Sequence, residues 1–227
     1  DNNFYYPSSA GKGIDIYLVD EGLNTYHDDF NWKNNYIYNY TGVDDIPSHG
    51  IVVSSMAGGT IYGTAKKANI HMVAIDFTGG SPLKGFDYIA KKAKPNKCVV
   101  SLSVGSGYYS KAKEDKLEEM LNAGCIIITV AGNGNMNGCL PTDDDDFNSI
   151  PGYRKSIVVG GVSQILYGDG YYRIYYSNYG DCVDIFAPAK VASPDLSKGS
   201  RNAYKTAGGT SYSAPIVAGV VATIMSE

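Results

Sequence analysis

The chain has 227 residues, enough for one domain with a sizeable hydrophobic core. Its formal net charge is −4 at pH 7, and it carries no basic stripe, so nucleic acid and anionic membranes are excluded as expected partners. No apolar run approaches the length of a membrane span. The sequence opens at Asp1 without the charged and apolar regions of a signal peptide. We expect a single domain over residues 1–227.

Runs rich in Val and Ile alternate along the chain with segments of helical periodicity. Apolar residues recur at helical spacing from Phe86 to Ala93 and from Leu117 to Leu121. The predicted strands cover residues 14–20, 70–77, 98–104, 125–131, 156–162 and 182–187. Residues 171–176 predict the second arm of an antiparallel hairpin. The alternation predicts an α/β fold of three layers, with helices on both faces of a mostly parallel central sheet.

The first predicted strand ends in Asp20, which is followed by Glu21 and Gly22. In open α/β sheets, functional groups gather at the carboxyl ends of the strands. Asp20 is therefore a candidate functional residue.

A short helical segment follows, bounded by Ser48 and by the pair Gly58-Gly59. Ser48 has the character of an N-cap and the glycine pair that of a helix end. This interpretation places His49 in the first turn of the helix.

Near the C-terminus, glycines precede Thr210-Ser211, and an apolar helical stretch follows from Ile216 to Met225. Pro215 is expected inside the first turn, where its missing N–H costs little. A serine at such a helix start is well placed as a nucleophile, because outward-pointing N–H groups favour negative charge. On its own, the motif also fits an ordinary capped helix. With Asp20 and His49 it completes a relay: serine attacks a carbonyl, histidine takes the proton and aspartate fixes the histidine tautomer.

These motifs resemble those of the subtilisin-like serine proteases (subtilases), and specifically of the proteinase K-like branch. The resemblance covers nearly the whole chain. The segments that carry it are Val19-Asp20-Glu21-Gly22, His49-Gly50, residues 101–105, Ala131-Gly132-Asn133, Ser177-Asn178-Tyr179-Gly180, residues 183–188, and Gly209-Thr210-Ser211 with Pro215.

The resemblance implies a three-layer α/β/α subtilisin-like fold and a secreted serine endopeptidase. Asp20, His49 and Ser211 would form the catalytic triad, and Asn133 would donate to the oxyanion. The chemistry would need no cofactor. The implied partners are protein or peptide substrates and a propeptide or inhibitor, and the implied state is a monomer.

The substrate site is expected at strand ends. Ser103, Val104 and Gly105 would pair with an extended peptide, and Gly79, Gly80 and Ser81 would supply the opposite edge. Gly105, Ala131 and Gly132 would line the main side-chain pocket. Small, uncharged walls predict broad cleavage after aromatic and aliphatic residues, and a preference for basic residues, suggested by Glu21, is the rival.

The four cysteines are Cys98, Cys125, Cys139 and Cys182, and none has the C-x-x-C spacing of a metal site. The resemblance implies a Cys139–Cys182 disulfide. Cys98 and Cys125, near the starts of neighbouring strands, either pair across the sheet or remain buried thiols. Disulfides and the sequon Asn39-Tyr40-Thr41 favour secretion. Asp184 matches a residue that ligates a structural calcium in this branch.

Three departures from the subtilase pattern leave a second class of function open. Glu21 replaces the usual Ser or Thr after the aspartate. Ile51 stands where the histidine motif normally continues with Thr, and Tyr212 replaces Met after the serine. Glu21 either perturbs Asp20 through charge repulsion or shapes a substrate pocket. A catalytically degenerate relative, acting as a binding module, is therefore the alternative to an active endopeptidase.

Overall fold

A computed structural model describes residues 4–30, 34–39, 48–77 and 81–227. The described strands are β1 (Asp15–Asp20), β2 (Asn35–Asn39), β3 (Asn69–Ala74), β4 (Cys98–Leu102), β5 (Ser106–Gly107), β6 (Cys125–Val130), β7 (Asn148–Ser149), β8 (Ile157–Tyr167), β9 (Gly170–Arg173), β10 (Ile185–Pro188), β11 (Lys190–Pro194) and β12 (Tyr204–Gly208). The described helices are α1 (His49–Gly58), α2 (Ser81–Lys92), α3 (Lys111–Asn122) and α4 (Thr210–Met225).

The central sheet has the strand order β10-β8-β6-β4-β1-β3-β2, and neighbouring strands along this path are parallel. The antiparallel strand β9 folds back on β8. Two small antiparallel pairs, β5–β7 and β11–β12, lie outside this sheet. Because the strands are parallel, the loops after β1, β4, β6 and β8 all emerge at one edge, which we call the carboxyl edge.

The helices cover both faces of the sheet and bury two hydrophobic clusters. In β1, Ile16 and Leu18 face the cluster that includes α1 and α4, whereas Tyr17 and Val19 face the cluster that includes α2 and α3. This alternation is the period-two pattern of a strand buried on both faces. The three-layer α/β/α arrangement with a mostly parallel sheet is confirmed.

All six predicted strands are present, although their boundaries differ. The second ends at Ala74 rather than residue 77, and the last begins at Ile185 rather than residue 182. The fifth continues to Tyr167, five residues beyond its predicted end at residue 162, and is the first arm of the predicted hairpin. Among the helices of the described ranges, none combines the length and the apolar character needed to cross a bilayer.

Both pairs of cysteines form disulfides. The Cys139–Cys182 bond confirms the pairing that the resemblance implied. Cys98 and Cys125 lie directly opposite each other on β4 and β6 and form the second bond. The cross-sheet alternative is therefore the correct one for this pair. Tyr40 and Thr41 of the sequon lie outside the described residues.

Candidate active site

Asp20 and His49 form a close pair at the carboxyl edge. Asp20 is fully buried as the last residue of β1, and His49, the first residue of α1, keeps 31% of its side chain exposed. His49 Nδ1 lies 3.0 Å from Asp20 Oδ1 and 2.9 Å from Oδ2. An ionised carboxylate only accepts hydrogen bonds, so Nδ1 carries the proton and Nε2 is left facing away from Asp20.

The start of α1 is held by Glu21 rather than by Ser48. Ser48 occupies the predicted N-cap position, but its side chain makes no capping bond. Instead, the His49 backbone N–H donates to Glu21 Oε1 at 2.6 Å. A carboxylate reaching from the preceding loop satisfies the same orphan donor, and its charge suits the helix N-terminus. This role for Glu21 is neither of the two that the sequence suggested.

A close backbone approach fixes α1 against the loop that follows β1. A Cβ on Gly50 would lie 2.0 Å from the carbonyl oxygen of Gly22, so only glycine fits at this position. The contact brings the first turn of α1 down onto the end of β1. His49 therefore reaches Asp20 because the helix is seated on Gly22.

The surroundings of His49 favour its protonated form. Burial alone would lower its pKa, but the hydrogen bond to Asp20 and the negative charges of Asp20 and Glu21 outweigh it, so the pKa is raised above the ordinary 6.5. The Tyr212 ring lies beside the imidazole, with centroids 5.4 Å apart. Burial, followed by the charges of Asp20, Glu21 and Tyr176, raises the pKa of Tyr212, which keeps this phenol neutral.

Ser211 is the second residue of α4, and the helix begins on the side chain of Asn133. Asn133 Oδ1 accepts hydrogen bonds from the backbone N–H and the hydroxyl of Thr210, both at 2.9 Å. The Asn133 oxygen is thereby fixed, and its amide Nδ2 remains the donor end. Within the described residues, no hydrogen bond joins the side chains of Ser211 and His49.

Pro215 is the sixth residue of α4, so the prediction that it lies inside the first turn is wrong. At this position proline removes the N–H that would bond to the carbonyl of Ser211, four residues earlier. The hydroxyl of Ser103 donates to that carbonyl at 2.8 Å instead. Substrate binding through the Ser103 backbone stays a prediction, and the buried Ser103 side chain anchors the backbone of Ser211.

The loop carrying Asn133 is shaped by Asn178, whose contribution the sequence analysis missed. Asn178 Nδ2 donates to the carbonyl of Ala131 at 3.0 Å, and its Oδ1 accepts from the N–H groups of Gly134 and Met136. A Cβ on Gly132, whose φ is +103°, would lie 2.6 Å from Asn178 Nδ2. The sequence signal for Asn178 was its place in the Ser177–Gly180 motif. That motif indicates a family position but does not show which groups Asn178 contacts.

The two segments that were predicted to bind substrate lie in different kinds of local structure. Residues 103–105 follow β4 without joining a strand, Ser81 is the first residue of α2, and Gly79 and Gly80 lie outside the described residues. A small cavity adjoins Val104 and Gly105 but is not lined by Ala131 or Gly132. Its other lining residues are Phe77, Pro82, Phe86, Lys113, Ser149 and Ile150.

Asp184 already has a protein partner. Its Oδ2 accepts the backbone N–H of Val158 at 2.8 Å, and the nearby Arg154 pairs with Asp181. Across the described ranges, no group of three or more His, Cys, Asp or Glu side chains is arranged to hold a metal ion. This arrangement does not favour a calcium ion at Asp184, which stays a prediction.

The fold and site together define an α/β protein with Asp, His and Ser at the carboxyl edge of a parallel sheet. The chain belongs to the Subtilase family, whose model matches residues 11–227. It is 34% identical to alkaline protease 1 of Aspergillus flavus over 99% of this chain and 55% of that protein. It is 32% identical to subtilisin-like protease 2 of Pseudogymnoascus destructans over 99% of this chain and 54% of that protein.

The fold is likewise similar to a solved structure. A cold-adapted subtilisin-like serine proteinase aligns with a TM-score of 0.80 at 30% identity, covering 98% of this chain and 78% of the other. The chain spans about half the length of the curated relatives it matches.

Proposed function

We propose that this protein is a secreted serine endopeptidase that hydrolyses peptide bonds with Asp20, His49 and Ser211. Its single peptidase domain covers residues 1–227. The observation that carries the proposal is the buried Asp20 carboxylate bonded to His49 Nδ1, together with the place of Ser211 in the first turn of α4. The two disulfides support secretion, because such bonds persist in oxidising compartments.

In the proposed mechanism, Asp20 holds His49 in the tautomer whose Nε2 can accept a proton. The hydroxyl of Ser211 attacks the carbonyl carbon of the scissile bond as its proton passes to Nε2. His49 then gives that proton to the leaving amine, and a water molecule releases the acyl group from Ser211 by the same steps in reverse order. Asp20 stays ionised throughout and stabilises the imidazolium.

The negative charge on the carbonyl oxygen would be met by the Asn133 amide and by the N-terminus of α4. Because Thr210 holds Asn133 Oδ1, the Nδ2 group is set in place before the reaction begins. Preorganised donors of this kind act chiefly in the transition state.

Active-site variants test the chemistry. Ser211→Ala and His49→Ala should each abolish most turnover, and the double variant should lose little more, because the residues act as one unit; subtilisin is itself the known precedent for that non-additivity. Asn133→Ala should lower kcat by about 100- to 1000-fold, a range measured on the same kind of donor in subtilisin, with little change in KM. Retention of full kcat in any of these variants would contradict the assigned role.

For specificity we propose cleavage after aromatic and aliphatic residues. The support is the uncharged character of Gly105, Ala131 and Gly132, and the mostly apolar lining of the cavity beside Val104 and Gly105, in which Lys113 is the charged lining residue. The use of Glu21 as the cap of α1 weakens the rival preference for basic residues, because that carboxylate is already engaged. A peptide-library profile dominated by Arg or Lys before the scissile bond would overturn the proposal.

A binding protein without turnover is the second candidate. It is favoured by the lack of a Ser211–His49 hydrogen bond in the described residues and by Tyr212 beside the histidine. Labelling with a serine-reactive fluorophosphonate separates the two functions. The endopeptidase should be labelled at Ser211, and the Ser211→Ala variant should not.

A further inference from the structure

β8 is much longer than the strands beside it. It has 11 residues, whereas β6 has 6 and β10 has 4. Its pairing with β6 ends at Val159 and its pairing with β10 ends at Val162. Residues 163–167 therefore extend past the carboxyl edge of the sheet, and β9 folds back along them. We call residues 163–173 the aromatic hairpin.

The aromatic hairpin exposes large apolar side chains on both of its faces. Leu166 and Tyr171 form a cross-strand pair, and both are more than half exposed. Tyr167 and Tyr172 contact each other edge to face, with centroids 5.5 Å apart, and are also more than half exposed. A contiguous set of exposed apolar groups on a soluble domain marks an interaction surface.

The base of the hairpin touches both segments of the candidate active site. Gly161, next to the last residue of β8 that pairs with β10, lies so close to α4 that a Cβ on it would be 3.3 Å from Thr210 Cγ2. Arg173 donates to Asn135 Oδ1 at 3.0 and 3.1 Å, which ties β9 to the loop of Asn133. The base of the hairpin is therefore packed against the segments that carry Ser211 and Asn133.

The sheet order decides which side of the cleft the hairpin borders. Residues 103–105 follow β4 and the hairpin follows β8, so the two lie on opposite sides of β6 and Asn133. If the substrate upstream of the scissile bond runs along residues 103–105, the hairpin faces the downstream, leaving-group side. At about 3.3 Å per residue, the extension reaches on the order of 15 Å, comparable to several extended substrate residues.

The chemistry of the hairpin points to an apolar occupant. Its charged residues are Asp169 at the turn and Arg173 at the base. The Arg173 guanidinium is engaged by Asn135, by the carbonyl of Ser177 and by the ring of Tyr179. A charged partner would therefore find little to bind, whereas aromatic and aliphatic side chains would meet exposed rings.

We propose that the aromatic hairpin is an exosite that binds apolar and aromatic residues of a polypeptide substrate downstream of the scissile bond. The proposal rests on the proposed endopeptidase function. Such a site binds the ground state and the transition state equally, so it lowers KM and leaves kcat unchanged.

Two matched fluorogenic peptides test the exosite. Both share the same upstream residues; one ends just after the scissile bond and the other continues for several apolar residues. The variants are Tyr167→Ser with Tyr172→Ser, and Leu166→Ser with Tyr171→Ser, one pair for each face. For at least one pair we expect KM for the long peptide to rise about 3- to 10-fold, with kcat and all constants for the short peptide unchanged.

Tyr5→Ser is the control, because Tyr5 is an exposed tyrosine outside the hairpin. Unchanged KM for the long peptide in both double variants would overturn the exosite, and so would an equal loss with both peptides. A wild-type dimer that the variants convert to monomers, with KM unaltered, would show that a second copy covers the hairpin and would also overturn it. Failure of the wild type to cleave the short peptide would contradict the proposed function itself.

Discussion

Glu21 affects both the position of His49 and the protonation of its imidazole. The carboxylate accepts the first N–H of α1 and also contributes to the raised pKa of His49. A hydroxyl at this position, as subtilases usually have, would carry no negative charge toward the imidazole. The residue therefore has an electrostatic effect that the family pattern lacks.

Glu21→Gln is expected to move the acidic limb of the kcat/KM profile to lower pH. A general base must be neutral, so activity rises as pH climbs through the pKa of free-enzyme His49. Glutamine keeps an oxygen acceptor for the His49 N–H but removes the charge, so that pKa falls toward its ordinary value. The measurement is kcat/KM from pH 5 to 9, with the remote surface variant Glu118→Gln as the control. An unmoved limb, or a shift to higher pH, would contradict this role.

Ser103 and Pro215 are expected to be coupled through the carbonyl of Ser211. Ser103→Ala leaves that partly buried carbonyl without this partner and should cost about 1–3 kcal/mol in the free energy of unfolding. Pro215→Ala restores a backbone N–H four residues after Ser211, so adding it to Ser103→Ala should recover part of that cost. Urea denaturation of the two single variants and the double variant measures the coupling. Simple additivity would show that the two donors do not share this acceptor.

The sequence predicted the identity of the site residues better than their contacts. Asp20, His49 and Ser211 were found because each stands at the end of an element, which periodicity and glycine positions reveal. The caps were not found, because the Glu21–His49 and Asn133–Thr210 bonds join segments that are distant along the chain. Local propensity predicts a capping bond from the Ser48 side chain, but the tertiary contact of α1 with Gly22 brings the Glu21 carboxylate to the His49 N–H instead.

At the scale of elements, the loop after β6, which carries Asn133, is bonded to the segment between β9 and β10, which carries Asn178 and Cys182. The loop after β6 is held by Asn178 from one side and by the Cys139–Cys182 disulfide from the other. The second disulfide, Cys98–Cys125, joins the opposite, amino-terminal ends of β4 and β6. The two bonds have sequence separations of 27 and 43 residues and lie at opposite edges of the sheet, so each serves as a control for the other.

Removing either disulfide should destabilise the protein, but only one removal should also slow the enzyme. Loop-closure entropy gives about 4 kcal/mol for Cys139–Cys182 and slightly less for Cys98–Cys125. Cys139→Ala with Cys182→Ala should lower kcat because Asn133 loses its support, whereas Cys98→Ala with Cys125→Ala should leave kcat unchanged. Thermal unfolding and kcat at a temperature where all variants are folded provide the test. Equal kcat in the two double variants would refute the loop-support argument.

Sequence periodicity captured the buried elements and missed the exposed ones. The central strands read as Val- and Ile-rich runs because both faces are covered. β2 has mostly exposed residues, and the β11–β12 pair alternates weakly, so neither gave a clear pattern. The overhang of β8 beyond residue 162 was hidden because its apolar residues do not enter the core.

At the scale of the whole molecule, a second aspartate–histidine pair lies at the amino-terminal edge of the sheet. His71 Nε2 is 3.0 Å from Asp15 Oδ1, and the imidazole lies between the rings of Tyr17 and Tyr36, each at 4.5 Å. Burial lowers the pKa of His71 below 6.5, an effect that Lys94 reinforces and the Asp15 contact opposes. This histidine is therefore neutral in the fold near neutral pH, unlike the charge-favoured His49.

His71→Gln is expected to flatten the acid side of the stability profile. The folded pKa of His71 lies below the unfolded value, so the unfolded chain binds more protons and stability is lost as pH falls below 6.5. His49 has the opposite sign, because its raised pKa adds stability at low pH that is lost as pH rises. The quantity to measure is thus the difference between wild type and His71→Gln in urea-derived free energy from pH 5 to 8. Parallel curves would contradict the prediction.

The first residues of the two site helices donate hydrogen bonds to side chains from other loops. His49 of α1 donates to Glu21, and Thr210 of α4 donates to Asn133. Helix nucleation is the costly step in helix formation, so we expect these two helices to form only once strands β1 and β6 are in place. A partly folded chain with either helix undocked would lack the geometry needed for attack on a peptide bond. The proposed proteolytic activity should therefore appear only after both helices have docked on the sheet.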